Sequence, residues 1–319
     1  MEDLQKHNPG ALVTQWYKKN GRQNLPWRKS ITPYKVWISE MMLQQTQVVT
    51  ALSYYTKFLK KYPSLASIKI ATEDDILGLW SGLGYYRRAS FIYQTKEMIF
   101  ADFNGRFPAT YEELITLPGI GRSTAGAILS IAYKKPFPIL DANVKRVIAR
   151  LFMQQEFKKD VFWNLSRQCL DEKDPYSYQQ GIMDIGATLC TPKAPLCSKC
   201  PLNQSCLAFE KNDFRLPKTK KTTKKDIYLE FSLYKDGTGC FLTQTEVLGF
   251  WKKLWMPPVK IVKKFNATNK HALSHRNIYF RFKKTSKLPA DINGKWFSRI
   301  DLDNIALPKP ISDRLLQDG

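Results

Sequence analysis

The hydrophobic pattern changes its period once along this chain of 319 residues, and this change constrains the fold more than any other feature. From Pro9 to Leu216, apolar residues recur every three or four positions and the runs stop at Pro or Gly, as in helices. From Ile227 to Leu233 the period becomes two, and Ile278, Phe280 and Phe282 repeat it, as in strands. The sequence therefore predicts a mainly helical domain followed by a small sheet-based domain.

The segment from Lys211 to Lys225 separates the two patterns. It carries seven basic residues, one acidic residue and no apolar periodicity, which is typical of an exposed linker. We therefore expect domains at residues 1–210 and 226–319, joined by a linker at 211–225. A final helix is expected after Pro310.

The net charge indicates the class of partner. The 50 Lys and Arg against 28 Asp and Glu give +22, and the excess is spread over both predicted domains. This is more charge than solubility requires, so nucleic acid is the leading partner class and a merely solvated surface is the alternative. No stretch has the length and apolarity of a membrane span, and no targeting signal is seen. We expect a soluble, cytoplasmic, nucleoid-associated monomer of bacterial type.

Histidine and cysteine usage limits the available chemistry. No histidine lies between residues 8 and 270, so catalysis in the helical part must use carboxylates, Lys, Tyr, Cys or a cysteine-bound metal. Four cysteines are clustered with gaps of six, two and five residues, and they predict a metal site holding either zinc or a four-iron cluster. They are Cys190, Cys197, Cys200 and Cys206. Cys169 and Cys240 are predicted to be isolated thiols.

A glycine turn lies between two helical patterns. Thr110 and Glu113 form a capping box for a helix predicted over Tyr111 to Leu117, and a second helix begins after Gly121. The glycines at 119 and 121 allow close backbone approach and leave N–H groups at a helix start, which suits a DNA phosphate. The sequence therefore predicts a helix-hairpin-helix, with an ordinary tight turn as the alternative.

Two carboxylates carry the chemical hypothesis. Thr32 and Pro33 begin a helix predicted to continue from Tyr34 to Val49, so Glu40 lies mid-helix among apolar residues, where an apolar cleft would raise its pKa. Asp141 lies at a helix start that favours its charged form. Two carboxylates in opposite protonation states suit glycosidic bond cleavage. Taken singly, Glu40 could be a solvated helix residue and Asp141 a plain N-cap.

Several segments of the helical part resemble one family closely. The sequence is similar to the adenine DNA glycosylase (MutY) family, within the endonuclease III superfamily of helix-hairpin-helix glycosylases. The matching segments are Leu25 to Arg28, Trp37 to Gln47, Gly82 to Tyr86, Leu117 to Thr124 and Ile139 to Val147, together with the cysteine spacing. The resemblance implies a multidomain protein: a mainly α glycosylase domain with an iron-sulfur loop holding a [4Fe–4S] cluster, and a small α/β MutT-like C-terminal domain.

The resemblance also implies roles for individual residues. Glu40 would protonate a flipped adenine at N7, Asp141 would stabilise or trap the sugar cation, and Asn143 would support the site. Family positions around the adenine pocket are matched by Trp27, Arg28 and Gln180. Family positions that enter the base stack or contact the opposing base are matched by Gln45, Thr46, Leu83 and Tyr85.

Two departures from related patterns refine this expectation. Bifunctional relatives carry a lysine where this chain has Ser123, so a monofunctional enzyme is expected. The C-terminal part has no Asp or Glu between Val247 and Ala290, which excludes the acidic metal helix of a nucleotide hydrolase. The family's lesion-sensing Phe-Ser-His loop appears here as Leu273, Ser274 and His275.

The expected partner is double-stranded DNA carrying adenine opposite 8-oxoguanine or guanine. Two alternatives remain at this point. One is an endonuclease III-like pyrimidine glycosylase and lyase, which Ser123 and the added C-terminal domain disfavour. The other is a DNA-binding iron-sulfur sensor without catalysis, which would need no paired carboxylates.

Overall fold

A computed structural model describes residues 8–218, 223–286, 288 and 291–317. These residues form two compact units. The first contains the described parts of Met1–Lys69 and Gln94–Lys220, and the second contains those of Ile70–Tyr93 and Lys221–Gly319. Residues 219–222 of the predicted linker lie outside the described residues.

Helices make up the regular structure of the first unit, and residues 8–218 contain no strand, as the periodicity predicts. Helix α6 (Arg87–Asp102) contributes residues to both units, and α5 (Glu73–Leu79) belongs to the second. Short 3₁₀ turns lie at Pro26–Arg28, Cys197–Lys199 and Asn203–Ser205, and a π-helical turn lies at Ile185–Leu189. The remaining helices up to residue 218 are α1 (Pro9–Asn20), α2 (Pro33–Leu43), α3 (Val48–Lys61), α4 (Leu65–Ile68), α7 (Tyr111–Leu114), α8 (Arg122–Ala132), α9 (Ala142–Leu151), α10 (Lys159–Gln168), α11 (Pro175–Asp184) and α12 (Leu207–Glu210).

Helix α2 starts as predicted and ends earlier. The Thr32 side chain accepts a hydrogen bond from Lys35 N at 3.2 Å, which confirms the N-cap. The helix stops at Leu43 rather than at Val49, so the predicted single helix is wrong, and α3 begins at Val48. The break coincides with long-range contacts: Gln44 Nε2 donates to Gly119 O and Thr124 Oγ1, each at 3.4 Å. Glu40 therefore lies in the last turn of α2.

In the core of the first unit, α2 packs against α8. Trp37, Ile38 and Met41 of α2 are fully buried, and residues 124–131 of α8 are all buried. Gly126 permits a close approach, since a Cβ there would lie 2.5 Å from Pro138 O. The extended chain that leads to Asp141 can therefore run directly over α8.

The hairpin forms where the sequence predicts it. The capping box of Thr110 and Glu113 is present, although α7 ends at Leu114 and the last residues to Leu117 form a turn. Gly119 has φ +78°, a conformation that favours glycine, and Gly121 is the N-cap of α8.

Strands in two sheets give the second unit its α/β character. Its described residues form the strands β1 (Lys225–Leu233), β2 (Gly239–Gln244), β3 (Trp255–Met256), β4 (Val259–Ile261), β5 (Asn269–Ala272), β6 (Arg276–Lys284) and β7 (Lys295–Ser298), followed by α13 (Arg299–Leu302) and α14 (Lys309–Gln317). One sheet has the order β4-β1-β6-β5 with β1 parallel to β6, and the other has the order β3-β2-β7. The two predicted alternating segments are confirmed as β1 and β6, and α14 lies where the final helix is expected. Among the described residues, no helix is long and apolar enough to cross a membrane.

Candidate active site

Glu40 lies beside apolar core residues and keeps only partial access to solvent. The pKa of its carboxyl is raised to about 7: burial is the largest cause, the negative charge of Asp141 also raises the pKa, and the positive charge of Arg28 lowers it. A carboxyl with this pKa holds its proton for much of the time at neutral pH. Glu40 can therefore serve as a proton donor.

Asp141 is the N-cap of α9, as predicted. Its Oδ1 accepts a hydrogen bond from Val144 N at 2.7 Å. Burial raises the pKa of Asp141 above its usual range, although the N–H groups of Val144 and Asn143 lower it. The helix start therefore favours the charged form of Asp141, as expected, but burial acts in the opposite direction and has the larger effect on the pKa.

The Asn143 side chain is hydrogen-bonded within α9, the helix that Asp141 caps. Its Oδ1 accepts a hydrogen bond from Arg146 Nη2 at 2.9 Å, and Arg146 also donates to Gly186 O at 2.6 Å and to Cys190 O at 2.7 Å. A Cβ on Gly186 would lie 2.7 Å from the Asn143 Cβ, so only glycine permits this approach. The first turn of α9 is thereby fixed against the π-helical turn before the cysteines.

The predicted pocket residues Trp27, Arg28 and Gln180 are all buried. The guanidinium of Arg28 forms a two-point pair with Asp184, at 2.7 and 2.9 Å. Its Nε is buried without a hydrogen-bond partner. A buried unpaired donor costs free energy unless a ligand supplies an acceptor.

The four clustered cysteines line one cavity, together with apolar side chains and Arg150. Burial raises the pKa of the Cys200 thiol to about 12 and also raises those of Cys197 and Cys206. Arg150 Nη1 lies 3.3 Å from Cys190 Sγ. Among the described residues, no set of three His, Cys, Asp or Glu side chains could hold a metal ion as placed. Cys169 and Cys240 are buried elsewhere, which confirms them as isolated thiols.

The hairpin residues lie at the surface. Gly121 is exposed and Gly119 and Ser123 are half-buried. The Ser123 hydroxyl accepts a hydrogen bond from Leu140 N at 3.0 Å, which connects the hairpin to the chain just before Asp141. Gln45 is exposed at φ +56° and Thr46 is half-buried.

In the second unit, Tyr85 meets the C-terminal loop. Tyr85 adopts φ +51° and is 46% exposed, whereas Leu83 is only 6% exposed. The hydroxyls of Tyr85 and Ser274 lie 2.8 Å apart, and His275 is exposed beside them in the chain. The Arg88 guanidinium lies over the Tyr85 ring and donates to Gly84 O at 2.9 Å. The structure thus places Tyr85, which is predicted to enter the base stack, in hydrogen-bond contact with Ser274 of the predicted lesion-sensing loop.

Comparison with known proteins gives the family. Residues 38–167 match the family described as HhH-GPD superfamily base excision DNA repair protein. An adenine DNA glycosylase of Buchnera aphidicola subsp. Schizaphis graminum is 39% identical over 335 residues, which cover 94% of this chain and 95% of the relative. The chain belongs to the adenine DNA glycosylase family. The human adenine DNA glycosylase is 38% identical over 63% of this chain and 39% of the human protein.

Solved structures place the helical part of this adenine DNA glycosylase family member in the same fold group. A thermostable thymine-DNA glycosylase superposes with a TM-score of 0.58 at 27% identity, over 63% of this chain and 94% of that chain. An endonuclease III–DNA complex superposes with a TM-score of 0.57 over 66% of this chain and 98% of that chain; at 19% identity this likeness shows the fold alone.

The structure shows interactions of the candidate residues that the sequence did not single out. In the first unit, Arg22 and Asp184 join Arg28 in one ion cluster. In the second unit, Arg88 donates a hydrogen bond to Gly84 O in the turn that carries Tyr85. Arg22 and Asp184 are 162 positions apart, so no local spacing connects them. In the sequence, the one available signal for this cluster was an acidic residue, Asp184, that follows apolar residues at the end of a helix.

Proposed function

We propose that this chain hydrolyses the N-glycosidic bond of adenine in duplex DNA where adenine stands opposite 8-oxoguanine or guanine. The observation that carries the proposal is the pair of carboxyls: Glu40, with its pKa raised to about 7, lies close enough to Asp141 for the negative charge of Asp141 to raise that pKa. Glycosidic cleavage needs one acid and one carboxylate in this relation.

In the proposed reaction the extruded adenine accepts the Glu40 proton at N7. The bond from N9 to C1′ then breaks, its electron pair goes to the base, and free adenine leaves. Asp141 stabilises the sugar cation or traps it, and a water adds at C1′ to leave an abasic site. The proton that this water loses restores the protonated form of Glu40, directly or through solvent. Asn143 supports Asp141 from the same helix turn, where Arg146 fixes its side chain.

The adenine pocket is proposed to include Trp27, Arg28 and Gln180. The buried and unpartnered Nε of Arg28 supports this, because an acceptor on the base would satisfy it. The ring of Trp27 packs edge-on against Tyr55 with centroids 5.4 Å apart, which fixes the indole beside the Pro26–Arg28 turn.

The hairpin around Gly119, Gly121 and Ser123 is proposed to bind a DNA phosphate through its backbone N–H groups. Ser123 offers a hydroxyl, already bonded to Leu140 N, and no amine for a Schiff base. This supports a monofunctional glycosylase over a lyase. The paired carboxylates disfavour a sensor without catalysis.

Recognition of the opposing base is proposed for Gln45, Thr46, Leu83, Tyr85, Ser274 and His275. The hydrogen bond between Tyr85 and Ser274 supports a common role for the two residues. We propose that the C-terminal part is a MutT-like domain that recognises the lesion without hydrolysing nucleotides, as the absence of Asp and Glu from 247 to 290 supports. In this chain Leu273 replaces the phenylalanine of the family loop.

The cysteine loop is proposed to hold a [4Fe–4S] cluster. Four partly buried thiols around one cavity need positive charge to become thiolates, and Arg150 supplies only one cation there. The residues that would hold the cluster are Cys190, Cys197, Cys200 and Cys206. When bound, the cluster would fix the loop structurally; no step of base release passes through it.

The test is a single-turnover assay on duplexes with adenine opposite 8-oxoguanine, guanine or thymine, followed by alkali. We expect release opposite 8-oxoguanine and guanine but not thymine. Glu40→Gln and Asp141→Asn should lower release at least about 100-fold with duplex binding retained, because each amide keeps the size of the side chain it replaces. The amide at position 40 cannot donate the proton, and the amide at position 141 has no negative charge to stabilise or trap the sugar cation. Glu172→Gln, at an exposed position, is the matched control. Substantial release by Glu40→Gln would remove Glu40 as the acid.

A further inference from the structure

Besides Glu40 and Asp141, the first unit holds an acidic residue whose side chain is enclosed, Asp184. Asp184 is the last residue of α11 and its side chain is fully enclosed. Its two oxygens accept hydrogen bonds from Arg28 Nη1 and Nη2 at 2.7 and 2.9 Å, and from Arg22 N, Nε and Nη2 at 2.9, 2.8 and 2.6 Å. Two guanidiniums therefore share one carboxylate.

The cluster keeps Asp184 ionised. Burial raises its pKa, but the hydrogen bonds and charges of Arg28 and Arg22 outweigh burial and hold the pKa below its usual value. The Arg28 side chain is only 3% exposed, so solvent cannot replace this partner, whereas that of Arg22 is 32% exposed. The charge of Arg28 is thus neutralised mainly by Asp184.

Arg28 connects the cluster to Glu40. The charged groups that act on Glu40 are Asp141, at the start of α9, and Arg28, in the Pro26–Arg28 turn. Asp141 favours the protonated form of Glu40, and a free guanidinium at Arg28 would favour the ionised form. How fully Arg28 is neutralised therefore sets how strongly it opposes burial and Asp141, which both favour the protonated form of Glu40.

We propose that Asp184 is a positioning residue for the proton on Glu40: it fixes the guanidinium of Arg28 and neutralises its charge, so that Arg28 does not draw Glu40 towards its ionised form. This role rests on the proposed function of Glu40 as the acid. The proposal also agrees with the Nε of Arg28, which is buried without a hydrogen-bond partner. The pairing with Asp184 uses both Nη atoms of Arg28 and leaves Nε for the substrate.

The test is the pH dependence of base release. Single-turnover rate constants are measured with saturating enzyme between pH 5.5 and 9 for the full chain and for Asp184→Asn and Arg22→Gln. In the wild type the rate should fall as pH rises through the titration of Glu40. In Asp184→Asn two unneutralised arginines favour the ionised Glu40, so this fall should move to lower pH by roughly half a unit to one unit.

Arg22→Gln should move the fall in the opposite direction. With Arg22 uncharged, Asp184 neutralises Arg28 more completely, and Glu40 keeps its proton to higher pH. The matched control is Asp174→Asn, at the N-cap of the same helix. Asp174 pairs with the exposed Lys18 at 2.8 Å and lies ten residues, about 15 Å, from Asp184. The control should leave the pH profile unchanged.

Opposite shifts in the two cluster variants, with no shift in the control, support the proposal. A loss of rate equal at every pH shows a merely structural role and overturns it. If Asp184→Asn fails to fold because the arginines lose their partner, the pH profile of Arg22→Gln is the remaining test. A fall in rate at the same pH as in the wild type, or at lower pH, overturns the proposal. A wild type whose rate does not fall near neutral pH, or a Glu40→Gln that still releases adenine, instead shows that Glu40 is not the acid.

Discussion

At the scale of single residues, Glu40, the proposed acid, shows how a buried carboxyl can work against the stability of its own fold. Its pKa is raised from 4.5 to about 7 by burial first and by Asp141 second. Between these two pH values the folded chain binds more protons than the unfolded chain, so the free energy of unfolding falls as pH rises. Above pH 7 the destabilising effect of the charge is complete.

Glu40→Gln should therefore stabilise the protein at pH 8, by on the order of 1 to 3 kcal/mol, because the amide carries no charge to desolvate. Most of this gain should be absent at pH 5, where Glu40 is already protonated in the folded state. Denaturant unfolding at both pH values measures the difference. Glu172→Gln is the control, and an equal gain at pH 5 and pH 8 would show that charge is not the cause.

Residue-level prediction from sequence succeeds where a residue's neighbours along the chain set its environment. The N-cap position of Asp141 follows from the residues that come directly before and after it. Its raised pKa does not, because the side chains that bury it come from elsewhere in the fold. The ion cluster was not predicted for the same reason, because Arg22 and Arg28 lie far from Asp184 in the sequence of the first unit.

At the scale of elements, the first residues of helices were easier to predict than the last residues. Thr32 and Thr110 cap their helices through side chains within three residues, which is a local signal. The end of α2 at Leu43 depends on Gln44 reaching the hairpin at Gly119, while the apolar sequence itself continues. The grouping of Ile70–Tyr93 with the C-terminal strands is likewise a tertiary property, carried by bonds such as Tyr86 OH to Leu307 O at 2.7 Å.

The cysteine loop supplies a prediction at this scale. Protein purified without oxygen should be brown and hold about four iron atoms per chain. Cys200→Ser should lose most of the iron and expose the loop to proteolysis, because it removes one of the four thiolates that would hold the cluster. Cys169→Ala, at an isolated buried thiol, should keep the iron. One zinc ion and no iron in the wild type would contradict the cluster.

At the scale of the whole molecule, the charge of +22 is distributed over both parts of the chain. Some basic groups are already paired, as Lys18 is with Asp174 at 2.8 Å, and these cannot neutralise a phosphate without losing their partner. Others, such as Lys199 beside the cysteines, are exposed. The net charge therefore predicts binding to a polyanion, and the structure separates the groups that are available for it from those that are not.

Binding to undamaged duplex should weaken steeply with salt, because each neutralised phosphate releases a counterion. If at least about five phosphates are contacted, the logarithm of the association constant should fall with the logarithm of salt concentration at a slope of roughly −4.5. Lys199→Gln should reduce the steepness of this slope by about one if Lys199 contacts a phosphate, whereas Lys18→Gln should leave it unchanged. Single-turnover base release with saturating enzyme should depend little on salt, since the two carboxyls act on the base and sugar rather than on the phosphates. Fluorescence anisotropy from 50 to 400 mM KCl gives the slopes, and a flat response in the wild type would mean that the excess charge only solvates the surface.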